Sequence, residues 1–234
     1  MSLLSVSNIS TGYGNKQVLF DVSLDVEKGD TILLIGSNGS GKSTLMKAIF
    51  GLMDLWQGTV EYDGKQLHSR GKKTPTRKLL DMGIQYVPQK NELFDDASVW
   101  DNLEYSLLHL NSHKESLRRI EEVMEIPMLK EHRKQIAGRL SGGERKMLSL
   151  GMILVNRPTL LLYDEPLAGL NEDIVPTVLS MLNKMRDAGT TMIIIEHHIK
   201  EMLNFTHSVI GMKLGCLQKD SLVSSQEIRK FLIE

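Results

Sequence analysis

The chain has 234 residues, a net charge of −1 and a sequence pI of about 6.7, so it is long enough to bury a substantial core. The near-neutral charge and the 5% aromatic content argue against a nucleic-acid partner, because such surfaces need clustered basic groups or stacking rings. Cys216 is the single cysteine, which excludes an internal disulfide and suits a reducing compartment.

The N-terminal residues show no targeting signal. Residues 1–6 lack both a basic segment and a long apolar core, so we predict no signal peptide. No uncharged apolar run reaches the roughly 18 residues that a membrane-spanning helix needs. We therefore expect a soluble chain, whose association with any membrane comes through a partner.

Residues 11–15 predict a loop, and Tyr13 is its one aromatic residue. Tyr13 either packs within the turn or stacks on a purine base, and both interpretations fit the sequence. After the loop, Val22, Leu24 and Val26 alternate with polar residues. This alternation predicts a half-buried strand of an antiparallel sheet.

The next segment matches the phosphate-binding pattern G-x-x-x-x-G-K-[ST]. An apolar run of strand length, residues 31–35, precedes it, and apolar residues at helical spacing follow it. In this pattern backbone N–H groups point into a concavity at a helix N-terminus, Lys42 reaches the β- and γ-phosphates, and Ser43 offers its hydroxyl to Mg²⁺. We predict a nucleotide phosphate site, rather than a glycine-rich turn that binds nothing, at Gly36, Ser37, Asn38, Gly39, Ser40, Gly41, Lys42, Ser43 and Thr44.

Residues 59–65 predict a strand that runs into a hairpin turn. The basic stretch that follows is predicted to be a loop, which is either a solvated face or a partner contact: Arg70, Lys72, Lys73, Arg77 and Lys78. Residues 83–87 predict a short strand that Pro88 ends. Gln89 then lies at a strand end, where α/β proteins usually bind ligands.

Residues 90–155 predict mostly helices, within a chain whose flanks alternate strands and helices. A capping box beginning at Ser98 opens a helix that we expect to reach about Leu110, and a second helix follows. Ser141 is expected to cap a third helix, which ends near Asn156. The glycines after Ser141 make its first turn either a second anion site or an ordinary capped helix start.

Two further strands are predicted to deliver polar side chains to the same sheet edge. Residues 160–165 form an apolar run that ends in Asp164 and Glu165. The first acid suits the water shell of a metal ion, and the second can accept a proton from, or orient, an attacking water. A predicted helix from Val175, ended by Gly189, leads to the strand at 190–195.

That strand brings His197 to the same edge, where it is a candidate for contact with a γ-phosphate. The chain then predicts a hairpin around Gly215, between residues 209 and 223, and a short helix from about Ser225.

These motifs in this order resemble the ATP-binding subunit of an ABC (ATP-binding cassette) transporter over essentially the whole chain. GSNGSGKST matches the Walker A motif, LLLYDE matches Walker B, and LSGGE matches the signature, which is the most specific of the three. The D-loop LAGLN and the run IEHH are similar to importer ATPases of the branched-chain amino acid type.

The resemblance implies an α/β fold with a P-loop NTPase (RecA-like) core, an antiparallel β subdomain and an inserted helical subdomain. It implies one domain over residues 1–234. Residues 1–89 and 156–234 form the core with the antiparallel subdomain, and residues 90–155 form the helical signature subdomain.

The resemblance also implies roles for single residues. It assigns Tyr13 to adenine stacking and the Mg²⁺ ligands to Ser43, Gln89 and Asp164. It assigns catalysis to Glu165, His197, Lys42 and Gln89. A second nucleotide contact, made to a partner chain's ATP in a head-to-tail dimer, is implied for Ser141, Gly142 and Gly143. The sequence departs from the commonest family pattern at Glu144, which is a common variant, and at Tyr163, Asn171 and His198, which bear on how tightly the two sites of a dimer are coupled.

The implied function is ATP hydrolysis that energises transport, including import of branched-chain amino acids or a similar small solute. ATP and Mg²⁺ are the implied cofactors. The implied partners are a second ATPase subunit, in a homodimer or heterodimer, and transmembrane permease subunits. The implied location is cytoplasmic, on the inner face of the cell membrane.

Two other functions stay open at this point. One is a soluble ABC ATPase without a membrane partner, for example in cluster assembly; the chain lacks the coiled-coil insertion of repair members and the second cassette of translation factors. The other is a GTPase or small-molecule kinase. Residues 183–187 resemble the guanine-specifying N-K-x-D, but the aspartate is one residue late and lies in a predicted helix.

Overall fold

A computed structural model describes residues 2–90, 93–218 and 223–224. Its strands, in chain order, are β1 Ser2–Tyr13, β2 Lys16–Glu27, β3 Thr31–Ile35, β4 Gln57–Tyr62, β5 Lys65–Ser69, β6 Lys72–Lys73, β7 Ile84–Val87, β8 Leu160–Asp164, β9 Thr191–Ile195, β10 Ser208–Lys213, β11 Cys216–Leu217 and β12 Val223–Ser224. Its helices are α1 Lys42–Ile49, α2 Thr76–Asp81, α3 Val99–Ser106, α4 His113–Val123, α5 Pro127–Glu131, α6 Gly142–Asn156, α7 Val175–Asp187 and α8 Ile199–Leu203, with a 3₁₀ turn at Ala137–Arg139.

The larger sheet has the order β11-β10-β3-β9-β8-β7, and β12 also pairs with β10. Strands β10, β3, β9, β8 and β7 are parallel neighbours. Every residue of β8 and β9 is buried, as expected for parallel strands covered on both faces. Because these strands are parallel, their carboxyl ends meet at one edge, which is where the predicted site residues follow.

Alternate residues of the parallel strands enter two hydrophobic clusters on opposite faces of the sheet. On one face, Leu160 and Leu162 of β8 share a cluster with the buried side of α1. On the other face, Leu161 and Tyr163 pack with side chains of α6 and α7. The period of two along each strand therefore anchors α1 on one side and α6 and α7 on the other.

The smaller sheet is antiparallel, with the order β2-β1-β4-β5-β6. The prediction of a loop at residues 11–15 is wrong for its first three residues, because Thr11, Gly12 and Tyr13 belong to β1. Gly12 is compatible with the strand because β2 approaches closely there: a Cβ atom on Gly12 would overlap the backbone oxygen of Lys16. Only residues 14 and 15 form the turn.

The basic stretch after the β4–β5 hairpin is also more regular than predicted. The predicted loop contains β6, which pairs with β5, and the start of α2. All five basic side chains of the stretch are exposed. Lys73 forms an ion pair with Asp54 at 2.8 Å, and both side chains are open to solvent.

The helices from α3 to α6 pack around a third hydrophobic cluster. Ser98 and Asp101 form the predicted capping box of α3, which is confirmed. The helix ends at Ser106 rather than near Leu110, because the chain tightens there into i→i+3 hydrogen bonds, such as Leu110 N to the Leu107 oxygen at 2.9 Å.

Helix α6 packs on two clusters at once. Leu148 and Val155 enter the helical cluster, whereas Leu150 and Ile153 pack against the larger sheet. The helix that begins at the LSGGE motif is therefore in contact with both packing units. The boundaries at residues 90 and 155 stay predictions.

The chain's last described strands form a hairpin, as predicted around Gly215. Gly215 has a φ of 80°, its N–H donates to the Ser40 oxygen at 2.8 Å, and its oxygen accepts from the Phe20 N–H at 3.0 Å. The hairpin thus bridges the phosphate loop and β2. The predicted helix from Ser225 lies outside the described residues. Within the described ranges, no helix has the length and apolarity needed to cross a bilayer.

Beneath the C-terminal end of α1, the buried ring of His68 accepts a hydrogen bond at Nδ1 from the Thr74 N–H at 3.2 Å. Burial lowers the pKa of His68 below its usual value, a hydrogen bond with the Ile49 backbone partly opposes this, and nearby Lys73 adds a smaller lowering effect. The folded chain therefore disfavours protonation of His68, whereas the unfolded chain binds a proton near its ordinary pKa. Stability from this group is present above that pKa and is lost as the pH falls below it.

We expect lowering the pH from about 7.5 to about 5.5 to reduce Tm, and the reduction to be smaller in His68→Gln, whose amide oxygen can still accept from Thr74. Thermal unfolding followed by circular dichroism at both pH values measures the difference. His113→Gln is the matched control, because His113 is exposed. An equal pH effect in wild type and His68→Gln contradicts this role of His68.

Candidate active site

The phosphate loop runs from the end of β3 to the start of α1. Two of its positions favour glycine, one because of its backbone φ and the other because a Cβ atom would overlap a neighbouring strand. Gly41, the N-cap of α1, has a φ of 108°. A Cβ atom on Gly36 would overlap the backbone oxygen of Met212 and approach Ser40 Oγ to 2.8 Å. The loop is therefore packed tightly against β10, and the positions of its N–H groups depend on that contact.

Replacing Gly36 with alanine should lower Tm by several degrees and weaken ATP binding, because the new methyl group pushes the loop away from Met212. Overpacking of this kind costs about 1–3 kcal/mol. Gly29→Ala is the matched control. Gly29 also has a positive φ, of 86°, but apart from its chain neighbours no atom of the described residues lies within 4 Å of its Cβ position. Thermal unfolding and ATP titration of both variants measure the difference, and equal effects contradict the packing explanation.

Lys42, the first residue of α1, folds back over the loop. Its Nζ donates to the Gly36 oxygen at 2.8 Å and to the Ser37 oxygen at 3.2 Å. Burial lowers the pKa of Lys42, and the carboxylates of Glu165 and Asp164 oppose that effect. The ammonium group is thus held at the centre of the loop, within reach of bound phosphate oxygens.

Asp164 ends β8 directly beside the phosphate loop and is only 4% exposed. Burial raises the pKa of its carboxyl above the usual value, while hydrogen bonding with Ser43 lowers it. In the described part of the chain, Asp164 Oδ1 has no hydrogen-bond partner. A buried carboxylate oxygen without a partner, beside a serine hydroxyl, fits the oxygen ligands of Mg²⁺, which takes few protein ligands and keeps several waters.

Glu165 follows Asp164 and contacts two of the other predicted catalytic residues. Gln89 Nε2 donates to Glu165 Oε2, and His197 Nε2 lies 3.3 Å from Glu165 Oε1. Glu165 has a left-handed backbone, with a φ of 53°, and its N–H donates to the Ile195 oxygen at 2.9 Å. Three residues that follow β7, β8 and β9 therefore meet at one point.

An open cleft of about 540 Å³ collects most of the predicted nucleotide and catalytic residues. Its lining comprises Tyr13, Val18, Asn38, Gly39, Gly41, Lys42, Ser43, Thr44, Gln89, Glu165 and His197. Tyr13 is 51% exposed, so its ring is available at the cleft surface rather than buried within the turn. Gly36, Ser37 and Ser40 belong to the loop but do not line the cleft. The Gly36 and Ser37 oxygens accept from Lys42 Nζ, and the Ser40 oxygen accepts from the Gly215 N–H.

Ser141, Gly142 and Gly143 do not line this cleft. Ser141 caps α6 in a capping box with Glu144, whose carboxylate accepts from the Ser141 N–H at 2.7 Å. This contact and those with His132 lower the pKa of Glu144. Gly142 instead borders a smaller adjoining cavity of about 260 Å³, together with Gln89 and Glu165.

The sequence analysis missed two residues around the cleft. Val18 of β2 lines it, and Tyr86 of β7 lies near Asp164. Burial, with the nearby Asp164 charge, raises the pKa of Tyr86. Tyr86 precedes the identified strand end by one residue, so the strand was visible in the sequence. Which face of β7 points to Asp164 depends on pairing between strands, which the sequence pattern does not specify.

Comparison with known proteins identifies the class of protein that this fold and site define. Residues 19–168 match the family model described as ABC transporter, and the chain belongs to this family. It is an ATP-binding subunit of the ABC transporter type and an ATPase. The predicted fold class, a P-loop NTPase core with an antiparallel sheet and inserted helices, is confirmed, and the GTPase or small-molecule kinase hypothesis is excluded.

Several relatives are transport ATPases. The chain is 35% identical over 214 residues to a high-affinity branched-chain amino acid transport ATP-binding protein of Pseudomonas aeruginosa, covering 91% of this chain and 90% of the relative. It is 33% identical to a probable branched-chain amino acid transport ATP-binding protein of Archaeoglobus fulgidus, with 91% and 89% covered. It is 30% identical to the glutamate/aspartate import ATP-binding protein of Escherichia coli, with 94% and 90% covered.

Solved structures agree with this classification. The ATP-binding cassette MJ1267 of an ABC transporter superposes with a TM-score of 0.86 at 27% identity, covering 100% of this chain and 96% of that one. A nucleotide-free ATP-binding cassette from an ABC transporter superposes with a TM-score of 0.85 at the same 27% identity, also covering 100% and 96%.

Proposed function

We propose that the chain energises the import of a small solute, with branched-chain amino acids as the favoured substrates, through transmembrane permease subunits. The observation that carries the ATPase part is the meeting of Gln89, Glu165 and His197 beside the phosphate loop. The substrate part has support from the two branched-chain relatives, at 35% and 33% identity. Glutamate/aspartate import is the second candidate, from a relative at 30% identity.

In this proposal the nine residues of the phosphate loop hold the phosphates, and the ring of Tyr13 stacks on the adenine. The exposed position of Tyr13 at the cleft supports stacking over packing within the turn. The hydroxyl of Ser43, the Asp164 carboxylate and the Gln89 side chain would hold Mg²⁺, directly or through its waters. When bound, Mg²⁺ supplies charge neutralisation at the phosphate oxygens.

Hydrolysis in this proposal depends on positioning and on charge. Glu165 orients the attacking water and accepts its proton, and Lys42 stabilises the charge on the phosphate oxygens. His197 donates to the γ-phosphate. His197 and Gln89 both contact Glu165, so phosphate oxygens would compete with the general base for these two side chains.

Ser141, Gly142 and Gly143 serve a second chain's ATP in a head-to-tail dimer. Two observations support this role: these residues lie outside their own chain's cleft, and Gly142 has open space where a Cβ would be. A two-fold arrangement presents the same surfaces from both chains, and ATP between them would close the dimer. The partner is an identical chain or a second ATPase subunit, and the complex would lie on the cytoplasmic face of the cell membrane.

Purification of the tagged chain from detergent-solubilised membranes of its own cells tests the proposed partner. We expect permease subunits among the co-purifying proteins. We also expect cells that carry Glu165→Gln in place of the wild type to lose uptake of labelled leucine, while uptake of glutamate continues. A chain that stays in the membrane-free fraction, with unchanged uptake, would favour the soluble ABC ATPase hypothesis instead. Lost glutamate uptake with normal leucine uptake would favour the second substrate candidate.

A further inference from the structure

Among the described residues, Glu196 is a buried carboxylate to which the proposed catalysis assigns no role. Glu196 follows β9 and is only 2% exposed. Its Oε2 accepts from the Leu167 N–H at 2.8 Å. Its Oε1 accepts from the His197 N–H at 2.7 Å and the His198 N–H at 3.3 Å. The two oxygens thus hold backbone groups of two different segments.

Those segments carry Glu165 and His197, two of the three residues that meet at the cleft. Leu167 lies two residues after Glu165, and Glu196 immediately precedes His197. A backbone hydrogen bond from Glu165 N–H to the Ile195 oxygen, at 2.9 Å, joins the same two segments on the strand side. This bond and the hydrogen bonds of the Glu196 carboxylate join the two segments, one before and the other after the positions of Glu165 and His197.

We propose that Glu196 is a positioning residue, which ties the segment after Glu165 to the segment of His197 and so sets the distance between these two side chains. The proposal rests on the proposed roles of Glu165 and His197. Glu196 lines neither cleft nor adjoining cavity, so it acts through the backbone and not on the nucleotide.

The chemistry of the contact explains why a carboxylate is needed. Each carboxylate oxygen accepts N–H groups from one segment, so both oxygens must be acceptors, whereas a glutamine side chain has only one acceptor oxygen. In Glu196→Gln the amide oxygen can hold one segment, but the NH₂ group then faces an N–H of the other segment. The carboxylate of Glu196→Asp is one methylene shorter and reaches only one of the two segments.

Steady-state kinetics of Glu196→Gln in the full-length chain tests the proposal. We expect kcat for Mg-ATP hydrolysis to fall by about 10–100-fold, as is common when a supporting hydrogen bond to a catalytic group is lost. The Kd for a fluorescent ATP analogue, measured separately, should stay within about threefold of wild type. Glu201→Gln is the matched control, since Glu201 is an exposed carboxylate on the adjacent helix α8.

A double-mutant cycle with His197→Ala separates positioning from simple loss of stability. If Glu196 acts by placing His197, the double variant should lose much less than the product of the two single losses in kcat. Multiplicative losses, an unchanged kcat in Glu196→Gln, or a Kd that rises as much as kcat falls would each overturn the proposal.

Two further outcomes are also decisive. If Glu196→Gln does not fold, Glu196→Asp takes its place with the same expected loss, and failure of both to fold would assign the carboxylate to stability alone and overturn the proposal. A wild-type chain that binds ATP but does not hydrolyse it, when assayed with its permease subunits, would contradict the proposed catalytic roles of Glu165 and His197 instead.

Discussion

Glu165→Gln should reduce kcat for Mg-ATP hydrolysis by about 10²–10⁴-fold, because a positioned general base contributes rate enhancements of this size. Glutamine has nearly the same shape as glutamate but cannot accept the proton of the attacking water. Its side chain can still contact Gln89 and His197, so we expect ATP to remain bound with an affinity within a few-fold of wild type. Phosphate release and equilibrium binding of an ATP analogue measure the two quantities.

The same variant reports on assembly. With hydrolysis blocked, light scattering should show a monomer without nucleotide and a dimer with Mg-ATP. Glu172→Gln, an exposed carboxylate on the segment that follows, is the matched control and should keep wild-type turnover. Normal turnover in Glu165→Gln would show that another group is the base. ATP binding without a change in mass would show that a different subunit is needed to close the dimer.

Lys42→Ala should weaken ATP binding by about 10–100-fold and reduce hydrolysis further. A hydrogen bond between charged groups contributes about 1.5–3 kcal/mol, and truncation to alanine removes the ammonium group that makes such bonds to the phosphates. The alanine variant also frees the Gly36 and Ser37 oxygens that Lys42 holds, so the loop loses internal hydrogen bonds. Isothermal titration with ATP and with ADP measures the loss.

Lys65→Ala controls for the general effect of one positive charge on a near-neutral chain, since Lys65 is exposed in the β4–β5 hairpin. A larger loss for ATP than for ADP would locate the ammonium group at the γ-phosphate. An unchanged affinity for both nucleotides would contradict the assignment of Lys42 to the phosphates.

Local backbone geometry explains why much of the site was predictable from the sequence. The phosphate loop is signalled by its glycine-rich pattern, in which Gly41 has a φ of 108° that favours glycine. Gln89 and Glu196 follow short strands and Asp164 ends one, and parallel pairing brings these strand ends to one edge. These features leave strong local signals.

Other features depend on contacts between distant segments, and the sequence did not predict them. Gly12 was predicted to lie in a loop. A glycine within a strand is explained here by the close approach of the partner strand β2, which the sequence alone does not show. Tyr86 was missed because the side of β7 that faces Asp164 follows from sheet pairing. The early end of α3 likewise reflects how residues 107–110 tighten, rather than a breaker residue in that stretch.

Because the phosphate loop contacts the C-terminal hairpin, the motif-bearing part of this chain depends on residues that lie after the last motif. Every recognised motif ends by residue 198, yet Gly36 rests on Met212, and Ser40 is held by Gly215. A shortened chain that keeps all the motifs but ends before β10 would lose the surface that shapes its nucleotide cradle. The positions of the motifs therefore do not show where this protein can be divided or fused. The C-terminal hairpin carries no recognised motif, yet it supports the phosphate loop.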